Sequence, residues 1–181
     1  NYNRHSIQSR IQRHVRRVVP GVASLATQAN LIVCGSTNDP SVQMMQTTAE
    51  VAQKVIEYCE DGKAMSQPVH VILADAATVH KSTKLRDYCK ANNIEPVVLT
   101  KGMHEAVGQA EALVRTSKSA MKAIMLAKRC HVTEWELALM AVIMRKKVMY
   151  TRGAAVVPFV KRFGGSVHAD KHYAADPMGL I

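Results

Sequence analysis

Three short apolar segments, separated by segments with helical periodicity, constrain the fold of this chain most strongly. The segments cover 31–34, 69–74 and 96–99, and each is bounded by turn residues. The segment 69–74 is apolar except for His70, and such a run is typical of a central strand that is buried on both faces. The spacers predict helices over 41–60 and 80–92. Alternating strands and helices predict an α/β fold with a parallel sheet of three to four strands, flanking helices and three layers.

The second half of the chain is predicted to be helical from 103 to about 147. Thr133 and Glu136 match a capping box, so a new helix is expected to start there. The body of that helix, 137–144, is almost wholly apolar and must be buried against the sheet or a partner. The segment 154–160 predicts a fourth strand at the edge of the sheet, because Pro158 cannot donate a ladder hydrogen bond.

The chain divides into a basic N-terminal arm (1–28), an α/β domain (29–150) and a basic C-terminal extension (151–181). Within the arm, Ile7, Ile11 and Val15 recur every four residues and predict a short helix that ends at Pro20. No continuous apolar run is long enough for a membrane span.

The net charge of +10 is concentrated at the two ends of the chain. Residues 1–38 contain five Arg and no acid, residues 39–140 contain twelve basic and twelve acidic residues, and residues 141–181 contain seven basic and two acidic residues. The three parts therefore carry +5, 0 and +5. A neutral domain between basic ends is typical of proteins that bind the phosphate backbone of nucleic acid.

Three basic groups are the predicted RNA contacts. The group on the predicted helix is favoured further, because no acid occurs between 112 and 133. The groups are the arm residues Arg4, Arg10, Arg13, Arg16 and Arg17, the helix residues Arg115, Lys118, Lys122 and Arg129, and the loop residues Lys161 and Arg162.

The cysteines and the basic N-terminal arm indicate the cellular compartment of the protein. Cys34, Cys59, Cys89 and Cys130 are widely spaced without a CxxC pair, which favours buried, reduced thiols and no metal site. The Arg-rich, Ser-containing, acid-poor start of the chain is typical of a mitochondrial targeting segment and predicts the mitochondrial matrix. An RNA-binding arm that folds on contact has the same composition.

Few features of the sequence indicate catalysis. The turn 35–39 sits between a strand and a predicted helix capped by Asp39, but it lacks GxGxxG and the P-loop lysine. Asp75, at the end of the second strand, is the best single catalytic candidate, yet no second group accompanies it. We therefore expect no catalytic residues, no cofactor and no enzyme activity. The alternative is a small α/β enzyme that binds a ligand or nucleotide in a crevice near 35–39 and 75–78.

One stretch resembles a known family. Residues 69–108 contain the strand VHVILADA, the helix TKLRDYCKANN, the strand IEPVVLT and the turn KGMHEAVG. This order is similar to the kink-turn RNA-binding ribosomal proteins of the L7Ae/L30e type, and the likeness extends over about 31–110. The resemblance implies RNA contacts by Gly35, Thr37 and Asn38, and by Lys101 in the turn 100–102.

These patterns together favour a structural, rRNA-binding component of a mitochondrial ribosome, surrounded by neighbouring ribosomal proteins. Its basic ends and one basic helix face would contact rRNA. Besides the enzyme, a second alternative is an accessory subunit of another large mitochondrial complex, since the apolar helix 137–144 suits a protein partner.

Overall fold

A computed structural model of the chain describes residues 6–10, 21, 23–74, 82–98, 104–149 and 156–163. The side chains of 6–10, 104–107 and 163 are not among them. The described strands are β1 (Ser6–Arg10), β2 (Gln28–Cys34), β3 (Pro40–Met45), β4 (Val71–Ala74) and β5 (Glu95–Val98). The described helices are α1 (Val51–Ala64), α2 (Thr83–Ala91), α3 (His104–Ala127), α4 (Trp135–Val148) and α5 (Pro158–Phe163). The predicted α/β class and the helical second half are confirmed.

The five strands form one mixed sheet in the order β3-β2-β1-β4-β5. β1 pairs with β4 in parallel, with Ile7 beside Ile72, and β4 pairs with β5 in parallel. β2 runs antiparallel to both β1 and β3. The expectation of a parallel sheet of three to four strands is therefore wrong in strand number and in the direction of β2.

Helices cover both faces of this sheet, which makes the predicted three layers. Alternate side chains of a strand point to opposite faces. Accordingly, Ile32 of β2 packs with buried residues of α1 and α2, whereas Leu31 and Val33 pack with α3 and α4. Trp135 at the start of α4 is fully buried in this second core.

The first described strand lies where a helical arm was expected. Residues 6–10 form β1 between β2 and β4, rather than part of a helical arm. Only Ile7 in this strand is strongly apolar, and its four-residue spacing to Ile11 imitates a helix. The strand is fixed by hydrogen bonds to neighbours on both sides, and these pairings are far apart in sequence.

The helix predicted over 41–60 is also wrong in its first half. Pro40–Met45 is β3, and α1 begins only at Val51. The start is fixed by Glu50, whose carboxylate accepts hydrogen bonds from the Thr47 N–H at 2.8 Å and the Gln46 N–H at 3.1 Å. Thr47-Thr48-Ala49-Glu50 is a capping-box sequence, so this boundary had a readable signal.

Two further predicted boundaries change. The cap before α4 is His131 rather than Thr133, because the Glu134 carboxylate accepts a hydrogen bond from the His131 N–H at 2.6 Å. The strand predicted over 154–160 is wrong in its described part, since Pro158 is the first residue of α5. Proline suits that position, because the first N–H of a helix has no intrahelical acceptor.

The buried thiols should make the fold sensitive to alkali. Cys34, Cys59 and Cys89 are buried and unpaired by disulfides, as predicted, and Cys130 is half-buried. Burial raises the pKa of Cys59 from 9.0 to about 12. Because the folded state favours the protonated thiol, this contribution to stability is complete below about pH 9 and is lost as the pH rises towards 12.

We therefore expect the melting temperature of the Cys59→Ala variant to fall less steeply with pH than that of wild type, between pH 8.5 and about pH 10.5. A Cys130→Ala variant is the matched control and should follow the wild-type slope. Equal slopes for wild type and Cys59→Ala would contradict the assignment of this pH dependence to Cys59.

Candidate nucleic-acid interface

The basic residues of α3 form the best candidate for a binding surface. Arg115, Lys118 and Lys122 are spaced by three and four residues, so they lie on one side of the helix. Arg115 and Lys122 are exposed and Lys118 is half-buried. We call these three residues the basic face of α3. Their common placement on one helix face agrees with the sequence analysis.

The orientation of α3 is fixed by its inner side. Ala110, Leu113, Val114 and Met121 are all buried against the sheet and α4. These residues repeat with helical period, and therefore the side that carries Arg115 and Lys122 must face away from the core. The basic face is thus held on a rigid element by a packed core.

Arg129 does not belong to that face. α3 ends at Ala127, and Arg129 lies in the following turn with φ of 52°. The Cys130 N–H donates to the Met125 carbonyl at 2.9 Å, which closes this turn. Arg129 is exposed, but its direction is set by the turn and not by the helical repeat.

A second basic group lies at the end of α4. Lys146 Nζ donates to Thr116 Oγ1 at 2.9 Å, so the end of α4 is joined to the middle of α3. Burial lowers the pKa of Lys146. Arg145 is exposed, and Lys147 is half-buried. The position of this run beside α3 depends on packing, which the sequence does not display.

The β2–β3 turn holds the residues that the ribosomal-protein resemblance nominated. Thr37 is buried, and its Oγ1 accepts a hydrogen bond from the Asp39 N–H at 3.3 Å. Asn38 is exposed, has φ of 58°, and donates its N–H to the Cys34 carbonyl at 2.7 Å. Gly35 is half-buried. Thr37 and Asn38 therefore close a hairpin, and Asp39 does not cap a helix as predicted.

This turn lies beside the start of β1, at the other end of the strands from the carboxyl ends of β1, β4 and β5. Cys34 of β2 pairs with Ile7, near the start of β1, whereas Leu31 pairs with Arg10 at its end. β4 and β5 run parallel to β1 and end at Ala74 and Val98. The turn 35–39 therefore lies away from Ala74, the end of β4, and residues 75–78, the other part of the predicted crevice, lie outside the described residues. The same geometry separates Gly35, Thr37 and Asn38 from the end of β5, which precedes Lys101.

Arg162 is not a surface contact, which corrects its prediction as an RNA-binding residue. It is 8% exposed, and its NH1 donates to Asp39 Oδ2 at 2.7 Å and to the Tyr58 hydroxyl. Its guanidinium also lies 4.8 Å from the centre of the Tyr58 ring. The charge of Arg162 is used inside the fold, where it attaches α5 to the β2–β3 turn and to α1. Lys161, its neighbour, is exposed.

Of the remaining predicted contacts, the structure describes only the backbone of Arg10. The backbone of Arg10 ends β1, at the carboxyl edge of the parallel strands. Arg4, Arg13, Arg16, Arg17 and Lys101 lie outside the described residues, as does Asp75, the catalytic candidate.

The described residues offer no group of three His, Cys, Asp or Glu side chains that could hold a metal ion. Hard cations such as Mg²⁺ take oxygen ligands, chiefly carboxylates. Residues 1–38, which supply β1 and β2, contain no acid, and β1 ends in Arg10. This part of the sheet therefore does not fit a magnesium site. Among the described helices, none has the length and apolar character needed to span a membrane.

The structure of this chain is similar to solved structures, whereas its sequence matches no known family. No family model matches the chain, and no curated protein matches it. The structure is similar to a chain of the simian T-cell lymphotropic virus intasome in complex with the PP2A regulatory subunit B56 gamma, with TM-score 0.66 and 12% identity. That match covers 91% of this chain and 55% of the intasome chain, so this chain spans about half the length of its neighbour.

The structure is also similar to the HTLV-2 integrase catalytic core domain in complex with magnesium. The trimeric form gives TM-score 0.62 at 12% identity, with coverage of 87% of this chain and 95% of that chain. The dimeric form gives TM-score 0.59 at 11% identity, with coverage of 90% and 96%. The chain therefore has the fold of retroviral integrase catalytic cores.

Proposed function

We propose that this chain is a nucleic-acid-binding domain of the integrase fold that binds the phosphate backbone of duplex DNA. The observation that carries the proposal is the basic face of α3, where Arg115 and Lys122 are exposed on a helix whose other side is buried. The sequence contains no acid from 112 to 133. The fold shared with integrase cores favours DNA as the polynucleotide.

The dimensions of α3 suit this role. The helix has 24 residues, which corresponds to about 36 Å of length. The three residues of its basic face span about two turns, roughly 10 Å along the axis. Duplex DNA presents one negative charge per about 1.7 Å of its axis, so several phosphates lie within reach of this span.

The proposed role of the described residues is to bind DNA, and no metal-dependent reaction is assigned to them. The integrase cores of similar fold were solved with magnesium, but here β1 and β2 bring no carboxylate to the sheet and β1 ends in a basic residue. The proposal is therefore limited to retention of the polynucleotide, and it assigns no cleavage or joining to the described residues.

The Arg115→Ala/Lys122→Ala variant tests the proposal. We expect weaker binding to a 30-bp duplex, with the slope of log K against log salt reduced by about 1.8, because each lost phosphate contact contributes about 0.9. The measurement is fluorescence anisotropy of the labelled duplex at several salt concentrations.

The matched control is Lys84→Ala/Lys90→Ala, which removes the same charge from exposed positions on α2. It should keep most of the wild-type slope. If both double variants lose the same affinity and slope, net charge alone drives binding and the role of the basic face of α3 is contradicted.

A structural role in a mitochondrial ribosome is the second candidate function. It is supported by the +5, 0, +5 distribution of charge and by the acid-free first 38 residues. In the same titrations, a structured RNA hairpin that binds at least tenfold more tightly than the DNA duplex would favour this candidate. Cosedimentation of the native protein with mitochondrial ribosomal subunits would then identify the particle, and sedimentation with a particle free of RNA would favour an accessory subunit.

A further inference from the structure

Leu25 combines an exposed side chain with an unusual backbone conformation. Its side chain is 64% exposed, and its φ of 57° lies in the left-handed region. This region is unfavourable for a bulky residue, because the Cβ atom comes close to the following carbonyl oxygen. Exposure to water also denies the leucine the stabilisation that burial of an apolar side chain provides. Neither backbone preference nor packing therefore accounts for a leucine at this position.

The backbone around Leu25 is fixed by hydrogen bonds. We call residues 23–26 the Leu25 loop. The Leu25 N–H donates to the Gly21 carbonyl at 3.1 Å, and the Gly21 N–H donates to the Ala26 carbonyl at 2.9 Å. The carboxylate of the fully buried Glu136 accepts hydrogen bonds from three other N–H groups of the loop. These contacts hold the leucine in its strained conformation and present its side chain at a fixed position.

The Leu25 loop presents one large side chain between small ones. Ala23 and Ser24 are exposed beside Leu25, and Ala26 is buried. A single apolar side chain among small neighbours can enter the space between two base pairs, and leucine is among the residues that proteins insert there from the minor groove. One leucine offers too little apolar area for a stable interface with another protein, which buries about 800 Å² on each partner.

The Leu25 loop lies near the end of the basic face of α3. Ala26, which follows Leu25, and Met121, which precedes Lys122, are buried in the same cluster of side chains. Glu136, which anchors the loop, is the second residue of α4, and a short connection joins α3 to α4. A duplex bound along the basic face extends to the Leu25 loop, because one turn of duplex DNA covers about 34 Å.

The charges near the Leu25 loop also suit a polyanion. Lys128 and Arg129 are exposed in the connection between α3 and α4. The carboxylates of Glu134 and Glu136, the acids of this region, each accept backbone N–H groups within the fold. Residues 1–38, which include the loop, contain no acid. An apolar tip beside basic side chains matches the minor groove of DNA, where phosphates border the base edges.

We propose that Leu25 inserts between two base pairs from the minor groove of the duplex that the basic face of α3 holds. This inference rests on the proposed DNA binding and adds to it a contact with the bases. Insertion separates the two base pairs, and a mismatched pair is easier to separate than a matched one. The strained backbone of Leu25 is explained by this role, because strain persists where the surrounding structure holds a functional residue in place.

Competition binding with the full chain tests the insertion. Wild type should bind a duplex with one central mismatch about fivefold more tightly than the matched duplex, because less stacking is lost. A 2-aminopurine base beside the mismatch should gain fluorescence as it loses its stacking. Leu25→Asn should lose both effects, since its side chain is shorter and polar. Met65→Asn is the matched control and should behave as wild type does, because Met65 is 58% exposed after α1, on the other side of the sheet.

Thermal melts distinguish a functional leucine from a structural one. Leu25→Asn should melt at or above the temperature of wild type, because asparagine tolerates a positive φ better than leucine does. A melting temperature clearly below that of wild type would show that the leucine serves stability, and the proposal would then be overturned.

The binding data separate this proposal from the proposed function. Leu25→Asn should keep the wild-type salt slope, whereas Arg115→Ala/Lys122→Ala should lower the slope and keep the preference for the mismatch. Equal affinity of wild type for the two duplexes, or an unchanged preference in Leu25→Asn, overturns the insertion of Leu25 alone. A Met65→Asn variant as defective as Leu25→Asn also overturns it. Wild type that binds neither duplex overturns both proposals.

Discussion

Replacing Arg162 by alanine is expected to lower the free energy of unfolding by about 3 kcal/mol, a loss typical of breaking a buried ion pair from one side. Asp39 is fully buried, and its Oδ2 accepts a 2.7 Å hydrogen bond from Arg162. Among the described residues, Asp39 Oδ1 has no hydrogen-bond partner. Removal of the guanidinium would leave that carboxylate without its cation in a site that water does not reach.

The variant also removes the attachment of α5. Arg162 donates to the Tyr58 hydroxyl and lies over the Tyr58 ring, so it joins α5 to α1 as well as to the β2–β3 turn. Burial raises the pKa of Tyr58, and the phenol is therefore neutral and accepts this hydrogen bond over the physiological range of pH. We expect faster hydrogen exchange in α5 together with the lower stability.

Urea denaturation measures the loss, and Lys161→Ala is the control. Lys161 is the exposed neighbour of Arg162 on the same helix, and its replacement should change stability by less than about 0.5 kcal/mol. The double variant Asp39→Asn/Arg162→Met should recover part of the loss, since neither buried charge remains. Equal stability of Arg162→Ala and wild type would contradict the buried pair and would return Arg162 to the set of candidate surface contacts.

Replacing Glu136 by glutamine is expected to cost about 2–4 kcal/mol, because it leaves part-buried and buried donors without acceptors. Glu136 is fully buried at the start of α4. Its Oε2 accepts from the N–H groups of Ala23 and Ser24 at 3.1 and 2.9 Å. Its Oε1 accepts from Ser24 Oγ and the Ala26 N–H, both at 2.9 Å. An amide cannot serve all four donors, because either orientation turns an NH₂ group towards two of them.

A series of variants distinguishes the loss of these hydrogen bonds from a loss of side-chain packing. Ser24→Ala removes one of the four hydrogen bonds and should cost about 1 kcal/mol. Gly21→Ala acts from the other side, because a Cβ at Gly21 would lie 2.0 Å from Glu136 Cδ and must displace the carboxylate. Hydrogen exchange at Ala23, Ser24 and Ala26 should accelerate in Glu136→Gln and Gly21→Ala. If Glu136→Gln melts as wild type does, the carboxylate does not hold the segment 21–26.

Local patterns in the sequence were sufficient for much of the helical structure. The apolar stripe of α3, with buried Val114 and Met121, leaves its basic residues on the other side by periodicity alone. The β4 segment was readable as a continuous apolar run, and the four thiols as reduced. In each of these cases the information lies within a few helical turns or one strand, where neighbours along the chain are also neighbours in space.

The candidate sites depended on contacts that sequence does not display. Arg162 has the same appearance as Lys161 in the sequence, yet 123 positions separate it from the Asp39 that neutralises it. Glu136 shows no motif that would connect it with Ala23, 113 positions earlier. The carboxylate and guanidinium of such pairs become recognisable only when packing removes them from water, because an exposed charge needs no partner.

The α/β class, the three layers, most of the helices and the basic side of α3 were determined by the sequence itself, since periodicity and capping act over short distances. The tertiary structure decided the strand character of Ser6–Arg10, the direction of β2 and the sheet order β3-β2-β1-β4-β5. It also decided which charges are internal and which apolar side chains, such as Leu25, remain outside. The physical reason is that strand pairing and burial are settled by long-range partners, whose combined hydrogen bonds and apolar contacts override weak local preferences.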